Sequence, residues 1–366
     1  MHIPLNDLSR KSATFVDDIT NSVRQVVESG RYFNGPHTKE FVSWMSSRLQ
    51  SRNFLPLANG TDALILALEV LNLPTGSHVA MTPNAGGYAC IAAVRAGLIP
   101  RFIDIDPITC QMDSESLRVA FEIDENISAV IITHLYGLVG EVSSVQQLCE
   151  KHKVALIEDC AQAFGASVDG QSVGTFGDIA TFSFYPTKNL GAFGDAGGIS
   201  CRDAQVFEKM NSLSQYGWRD RYQIEIDRGF NSRMDEIQAA ILCTQLKTLD
   251  ADNSRRREIV LRYQDSLDSS RRMIQKNDQS FIGHLAIMVT PTRDADIEKL
   301  QARGIAFGIH YPTLDYDQKA WTKSFSNSSC PVSESAVKTI LTLPCFPSMS
   351  QTEIDTVAEC LQELGS

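Results

Sequence analysis

The sequence predicts an α/β fold with a mostly parallel sheet, followed by a smaller α+β unit. Three observations predict it. Between about residue 55 and residue 201, short apolar runs recur: HVAMT, RFIDID, AVIITH, VALIED, IATFSF and GGISC. Stretches of helical period, such as 61–71 and 87–96, lie between them, as in repeated strand–helix units. The runs are continuously apolar, as expected of strands covered on both faces.

The elements follow in order. Residues 1–50 read as helices, and FVDDITNSVRQVVESG carries apolar residues at helical spacing up to Gly30. The strand–helix region comes next. Residues 203–270 read as helical again, with MDEIQAAILCTQLKTLDADNSRRREIVLRY the longest periodic stretch. After about residue 275, HLAIMVT reads as a strand and DADIEKLQARG as a helix stopped by Gly304. IAFGIHYP reads as a strand, and VSESAVKTILTL and QTEIDTVAECLQEL as helices. No internal repeat or low-complexity segment interrupts the chain.

Bulk properties exclude several function classes. The 366 residues are 43% hydrophobic, ample for a large core. The net charge of −11 disfavours nucleic acid, and SRRRE at 254–258 reads as a solvated helix face. The nine cysteines are scattered and never spaced C-x-x-C, which fits reduced thiols used as small apolar residues. MHIPLNDLSRK lacks a signal-peptide pattern, and no apolar run reaches the ~18 residues that span a membrane. A cytoplasmic protein is expected.

In open α/β sheets, ligands bind beyond the carboxyl ends of the strands. Residues just past the apolar runs therefore matter most. They are Asp159 and Gln162 after VALIE, His134 after AVIIT, and Ser183 and Lys188 around TFSFYPTKN. NGTDAL adds Gly60 and Thr61 at a helix start, which suits either a phosphate or an ordinary N-cap. Asp159 is a helix cap or a carboxylate held against a cation, and Glu158 beside it could equally be the inward acid. Lys188 is a surface charge or an amine nucleophile. No G-x-G-x-x-G follows a strand, and no P-loop motif occurs.

ANGTDALILAL, THLYGLVGEV, LIEDCAQAFGA, GDIATFSFYPTKNLGAFGDAGG and GFNSRMDEIQAAIL occur in that order, with GIAFGIHYP and LTLPCFPSM near the end. On these motifs the chain resembles the DegT/DnrJ/EryC1/StrS family of pyridoxal-phosphate-dependent sugar aminotransferases, along nearly its whole length. The resemblance implies a fold-type I aminotransferase: a large domain with a mixed, mostly parallel seven-stranded sheet, a small α+β domain, and a homodimer. The division expected is 1–250 for the N-terminal helices and cofactor-binding domain, and 251–366 for the small domain.

The resemblance also implies roles. Lys188 matches the Schiff-base lysine for pyridoxal 5′-phosphate, and Asp159 the acid that pairs with the pyridine nitrogen. Gln162 matches the residue near the ring hydroxyl. Gly60, Thr61 and Ser183 match the phosphate cradle. Asn231 matches an asparagine that reaches the phosphate of the neighbouring subunit. The family's PSFTFVAT-like segment reads TPNAGGYACIAA here, and Tyr88 takes the place of the aromatic residue stacked on the ring. His310, Tyr311 and Tyr216 are candidates on the substrate side. The implied reaction is transamination of a nucleotide-linked 3-keto or 4-keto deoxysugar, with L-glutamate as donor. A sugar dehydratase of this family would carry histidine in place of Lys188. A regulatory or sensory protein on the same fold would be expected to lose Lys188 or Asp159.

Overall fold

A computed structural model describes residues 2–365. Three helices open the chain: α1 (Leu8–Thr14), α2 (Val16–Ser29) and α3 (Pro36–Arg48). α2 stops at Gly30, whose φ of 65° is the left-handed conformation that closes a helix. Then come β1 (Asn53–Leu57), α4 (Gly60–Leu71), β2 (His78–Met81), α5 (Tyr88–Arg95), β3 (Ile99–Phe102), α6 (Ser114–Ile123), β4 (Ile127–Thr133), α7 (Val142–His152) and β5 (Ala155–Asp159). A small hairpin, β6 (Ser167–Val168) and β7 (Gln171–Ser172), precedes β8 (Ile179–Ser183) and β9 (Gly197–Cys201).

The main sheet has seven strands in the order β1-β9-β8-β5-β4-β2-β3. β9 runs antiparallel to both neighbours, and the other pairs are parallel. The sheet is thus mixed and mostly parallel, and each run marked as a strand between 78 and 201 contributes to it. β1 is an addition. Its Pro56 weakens the strand signal, and an edge strand is where proline is tolerated.

Alternation along the strands builds two apolar layers. Ile131, Ile157, Ile179 and Ile199 pack with Leu64, Leu68 and Met210. Val130, Leu156, Ala180 and Phe182 pack on the other face with Phe41, Met45 and Leu242. Phe164 and Phe182 meet edge-on at 5.6 Å, and Phe41 and Phe184 at 5.3 Å. Each such ring contributes roughly 1.5–3 kcal/mol by burial. The strand ends that carry polar residues are therefore held on both faces.

The region 203–270 is less helical than its sequence suggests. α8 (Ala204–Leu213) is followed by irregular backbone with a hairpin, β10 (Trp218–Asp220) and β11 (Gln223–Ile224). Gly217, at φ 75°, lies where a Cβ would come within 1.9 Å of the Ile226 carbonyl oxygen, so the chain must turn there. α9 (Glu236–Gln245) and α10 (Leu249–Gln264) are separate helices joined by a tight turn.

The C-terminal part has β12 (Arg272–Met273), β13 (Ala286–Val289), α11 (Arg293–Ala302), α12 (Pro331–Thr339), β14 (Ile340–Leu343) and α13 (Gln351–Gln362). Its three strands form an antiparallel sheet, β12-β13-β14. Two expectations need correction. ILTL is a strand, not the end of a helix, because all four residues are buried against β13 and α13. IAFGIHYP is not a strand. Its backbone divides its bonds between two partners, Ile305 bridging to Ile3 and Gly308 to Thr342. α13 starts with a Ser350–Glu353 capping box. Glu353 also takes Arg10 Nη1 at 2.7 Å, tying α1 to the C-terminal helix.

Candidate active site

The carboxyl end of β5 lies between β4 and β8, with Asp159 level with Thr133 on one side and Thr181 on the other. Consecutive strand residues face opposite ways, so Glu158 and Asp159 separate. Glu158 turns inward to the core. It accepts the N–H groups of Gly174 (2.8 Å), Phe176 (2.7 Å) and Gly177 (2.7 Å), and lies 3.2 Å from His134 Nε2. Burial pushes its carboxyl up, but the bonds from His134, Gly177 and Gly174 outweigh it and hold it below the ordinary value. His134 thus lies behind the rim, fully buried, rather than on it. Cys160 completes a compact trio with these two, but burial holds its thiol neutral and the glutamate's lone pairs are already taken.

Asp159 is the acid that faces the cavity. Ala161 N donates to its Oδ1 at 3.0 Å and Thr133 Oγ1 to its Oδ2 at 3.4 Å. Burial nevertheless raises its carboxyl above the ordinary value, with the Ala161 N–H and Lys188 pulling the other way. Lys188 shows the mirror effect. Burial lowers its ammonium to about 8, against the pull of Asp159. An amine at that value is substantially neutral near pH 8, and a neutral amine is a nucleophile.

Both groups line a cavity of about 610 Å³ together with Gly60, Thr61, Tyr88, Ser183, His310 and Tyr311. At its floor, α4 begins. Asn59 caps it by accepting the Asp62 N–H at 2.8 Å, which leaves the N–H groups of Gly60 and Thr61 without a partner among the described residues. The hydroxyls of Thr61 and Ser183 stand beside them in the cavity wall. A Cβ on Gly60 would sit 2.8 Å from Ser183 Cβ, so only glycine lets helix and strand close to this distance. Free helix N–H groups, a positive dipole end and two hydroxyls suit a phosphate. The donor set fits a phosphorylated pyridine aldehyde: a cradle at one end, a carboxylate for the ring nitrogen, and an amine for the aldehyde.

The other sequence candidates divide. Tyr88 opens α5 and is 47% exposed, so its ring is free to cover a ligand. Gln162 is buried just behind the wall, accepting Tyr136 N–H at 2.7 Å and donating to Tyr311 Oη at 3.1 Å. Asn231 and Tyr216 are outside this cavity. Asn231 is exposed and accepts from Arg233 Nε at 2.9 Å. Tyr216 lies by the hairpin, its ring 4.9 Å from that of Trp218 and tilted against it.

The chain matches the DegT/DnrJ/EryC1/StrS aminotransferase family over residues 14–362. It belongs to that family. It is 34% identical to a dTDP-3-amino-3,6-dideoxy-alpha-D-galactopyranose transaminase of Aneurinibacillus thermoaerophilus, the match covering 99% of each chain. It is 32% identical to a UDP-N-acetyl-3-dehydro-alpha-D-glucosamine 3-aminotransferase of Acidithiobacillus ferrooxidans, over 98% of this chain and 97% of the relative. The crystal structure of S. venezuelae DesV in complex with a ketimine intermediate aligns with a TM-score of 0.94 at 29% identity, over 100% of this chain and 99% of that one. The architecture is that of the fold-type I aminotransferases.

In this family member the cavity has a second wall that the sequence does not announce. Leu5, Asn6, His284, Thr342 and Cys345 come to it from both ends of the chain. None sits in a rim position of the main sheet, and no spacing links them. The described residues include no helix long and apolar enough to cross a membrane.

Proposed function

We propose that the protein transfers an amino group from L-glutamate to a nucleotide-linked keto-deoxysugar, using pyridoxal 5′-phosphate held on Lys188. The observation that carries this reading is the convergence of Lys188, Asp159 and the free N-terminus of α4 on one cavity. When bound, the cofactor supplies an electron sink for the carbanion and carries the amino group between half-reactions. Lys188 would provide the amine that holds the cofactor aldehyde. The freed Lys188 amine would take the proton from the donor Cα and return it at C4′, as a general base and then a general acid. Asp159 keeps the pyridine nitrogen protonated, and a cationic ring offsets the cost of its burial. Gly60, Thr61 and Ser183 hold the phosphate. Tyr88 covers the ring, and Gln162 stands near the ring hydroxyl.

In this reading the chain works as a homodimer with shared active sites. Asn231, exposed and outside its own cavity, donates to the phosphate of the partner. His310, Tyr311 and, from the hairpin, Tyr216 face the sugar. A 3-keto sugar is the favoured acceptor. Both relatives compared above carry the 3-position in their names, and IPLNDL with SGRYFNGP resembles enzymes of that kind. The protein acts in the cytoplasm, a compartment that keeps its nine thiols reduced. Retention of Lys188 and Asp159 counts against dehydratase and regulatory roles.

The test is spectroscopic. The purified holoenzyme should show a visible band that bleaches on adding glutamate and returns on adding a 3-keto nucleotide sugar. Lys188→Ala should lose turnover by at least ~10²–10⁴-fold, the range for a positioned acid/base, while keeping its fold. A band that no amine donor bleaches would sink the reading.

A further inference from the structure

His284 lies just before β13 and lines the same cavity as Lys188 and His310, near enough to Lys188 to feel its charge. Its side chain is well packed, the residue being 6% exposed. A chain of hydrogen bonds fixes which ring nitrogen carries the proton. It starts at the Phe164 carbonyl, which can only accept. Asn253 Nδ2 donates to it at 3.3 Å, which turns the Asn253 Oδ1 toward Asn189. Asn189 Nδ2 donates to that oxygen at 2.7 Å and to the Ile282 carbonyl at 3.4 Å. The two backbone carbonyls thus fix both amides. Asn189 Oδ1 is left facing His284 Nδ1 at 2.9 Å. An amide oxygen accepts and never donates, so Nδ1 bears the proton.

A neutral imidazole has one N–H, so Nε2 presents a lone pair. Nε2 has no hydrogen-bond partner among the described residues, and Nδ1 is tied away toward Asn189. Burial, with the nearby charges of Lys188 and Arg256, holds the ring well below its ordinary value and so neutral. Arg256 also pins the backbone here, Nη1 donating to the His284 carbonyl at 3.4 Å and the Cys345 carbonyl at 2.6 Å. The result is a rigid, neutral acceptor at the Lys188 end of the cavity.

We propose that His284 is a positioning residue of the amino transfer: its Nε2 accepts a hydrogen bond from the Lys188 amine once that amine is released from the cofactor. This rests on the reading of Lys188 as the proton carrier. With one N–H held by His284, the amine's lone pair is aimed at the donor Cα. After Lys188 has taken the proton, the same acceptor steadies the ammonium. The opposite tautomer would point an N–H at the amine and occupy its lone pair. An imidazolium would repel it. The Asn189–Asn253 relay excludes the first and burial the second.

Two measurements test this. In the cofactor-free protein, nitrogen-15 NMR of the histidine rings, assigned against His284→Gln, should show His284 protonated at Nδ1 only and unchanged between about pH 6 and pH 8. A ring protonated at Nε2, or one that titrates in that range, overturns the proposal. In single-turnover reactions of holoenzyme with glutamate, His284→Leu should slow the half-reaction by about 10–100-fold, as misplacement of a reacting group does. Cofactor uptake should stay within about twofold, and His284→Gln, which keeps an acceptor oxygen, should recover most of the rate. If His284→Leu leaves the glutamate half-reaction at wild-type rate and weakens only the nucleotide sugar, the acceptor serves the sugar and the proposal fails. Lys188→Ala is the control. A wild-type half-reaction there would refute the role of Lys188 itself and leave the NMR result standing.

Discussion

Asp159 and Tyr311 face the same cavity, but their backbones are held in different ways. Asp159 ends a strand paired on both sides, to Thr133 and to Thr181. Tyr311 lies on irregular backbone whose nearest ladder contact is the single bridge from Gly308 to Thr342. The sheet wall also holds Ser183, Lys188 and the start of α4; the other wall holds His284, His310 and Thr342. On the proposed reading the Asp159 charge sits against one atom of a ring; that needs a rigid mount, and the sheet provides it. Surfaces that recognise a sugar can sit on backbone with fewer constraints. The contrast predicts that changes on the sheet wall hurt chemistry and cofactor capture together, while changes on the other wall, apart from His284 beside Lys188, hurt the sugar step alone.

The strongest test of the sheet wall is Asp159→Asn. On the proposed reading it removes the partner of the ring nitrogen, and kcat should fall by about 10²–10³-fold, as for loss of one preorganised electrostatic contact. The same change moves Lys188. Burial lowers that amine to about 8 and Asp159 opposes the shift, so without the carboxylate it should go lower still. In wild type, the rate at which the apo-protein captures a pyridine aldehyde should rise with pH, through about 8, and then level off. In Asp159→Asn the rise should come at lower pH. An unmoved profile would mean that the two groups do not share one field.

Glu158→Ala tests the residue next door, which faces the opposite way. It would strip a buried carboxylate from His134 and three N–H groups, and should cost about 3–5 kcal/mol of stability, the usual loss when one member of a buried pair is removed. The measurement is a denaturant midpoint. A small stability change with a large loss of turnover would reverse the assignment of the two acids.

Those two acids show where the sequence is legible and where it stops. Apolar runs and their ends are local signals, so β2 to β5, β8 and β9, and with them Asp159, Ser183 and Lys188 at the rim, could be read directly, whereas His134 fell behind it. Which of Glu158 and Asp159 faces the cavity depends on the register against β4 and β8, which no local pattern encodes. β1 was hidden by Pro56, which only its edge position explains. ILTL and IAFGIHYP were misread because short apolar segments suit helix, strand or irregular backbone until their partners are known. His284 had no signal at all. Its tautomer is set by Asn189 and Asn253, distant in sequence and joined only by the fold.

A smaller change probes the floor of the sheet wall. Gly60→Ala places a methyl 2.8 Å from Ser183 Cβ, and α4 must back away from β8. Overpacking of this kind costs about 1–3 kcal/mol. Part of the cost should appear as weaker retention of the cofactor, measured by dialysis of the holoenzyme. If Gly60→Ala keeps its cofactor as wild type does, the start of α4 is not the phosphate cradle.

The smallest effect should come from Tyr311→Phe, and it bears on how the walls are joined. Tyr136 N donates to Gln162 Oε1 at 2.7 Å, and Gln162 Nε2 donates to Tyr311 Oη at 3.1 Å. Tyr136 Oη in turn donates to the His310 carbonyl at 2.8 Å, closing a ring of bonds between β4, β5 and the segment around residue 310. Removing one hydroxyl opens the ring but leaves its other bonds in place. The cost should be near 1 kcal/mol, the net worth of one such bond. That is about a fivefold loss in kcat/KM for the sugar, since 1.4 kcal/mol is tenfold. Cofactor retention and the glutamate half-reaction should not change. If Tyr311→Phe loses cofactor as readily as Gly60→Ala, the two walls are one mechanical unit and the division of labour between them is wrong.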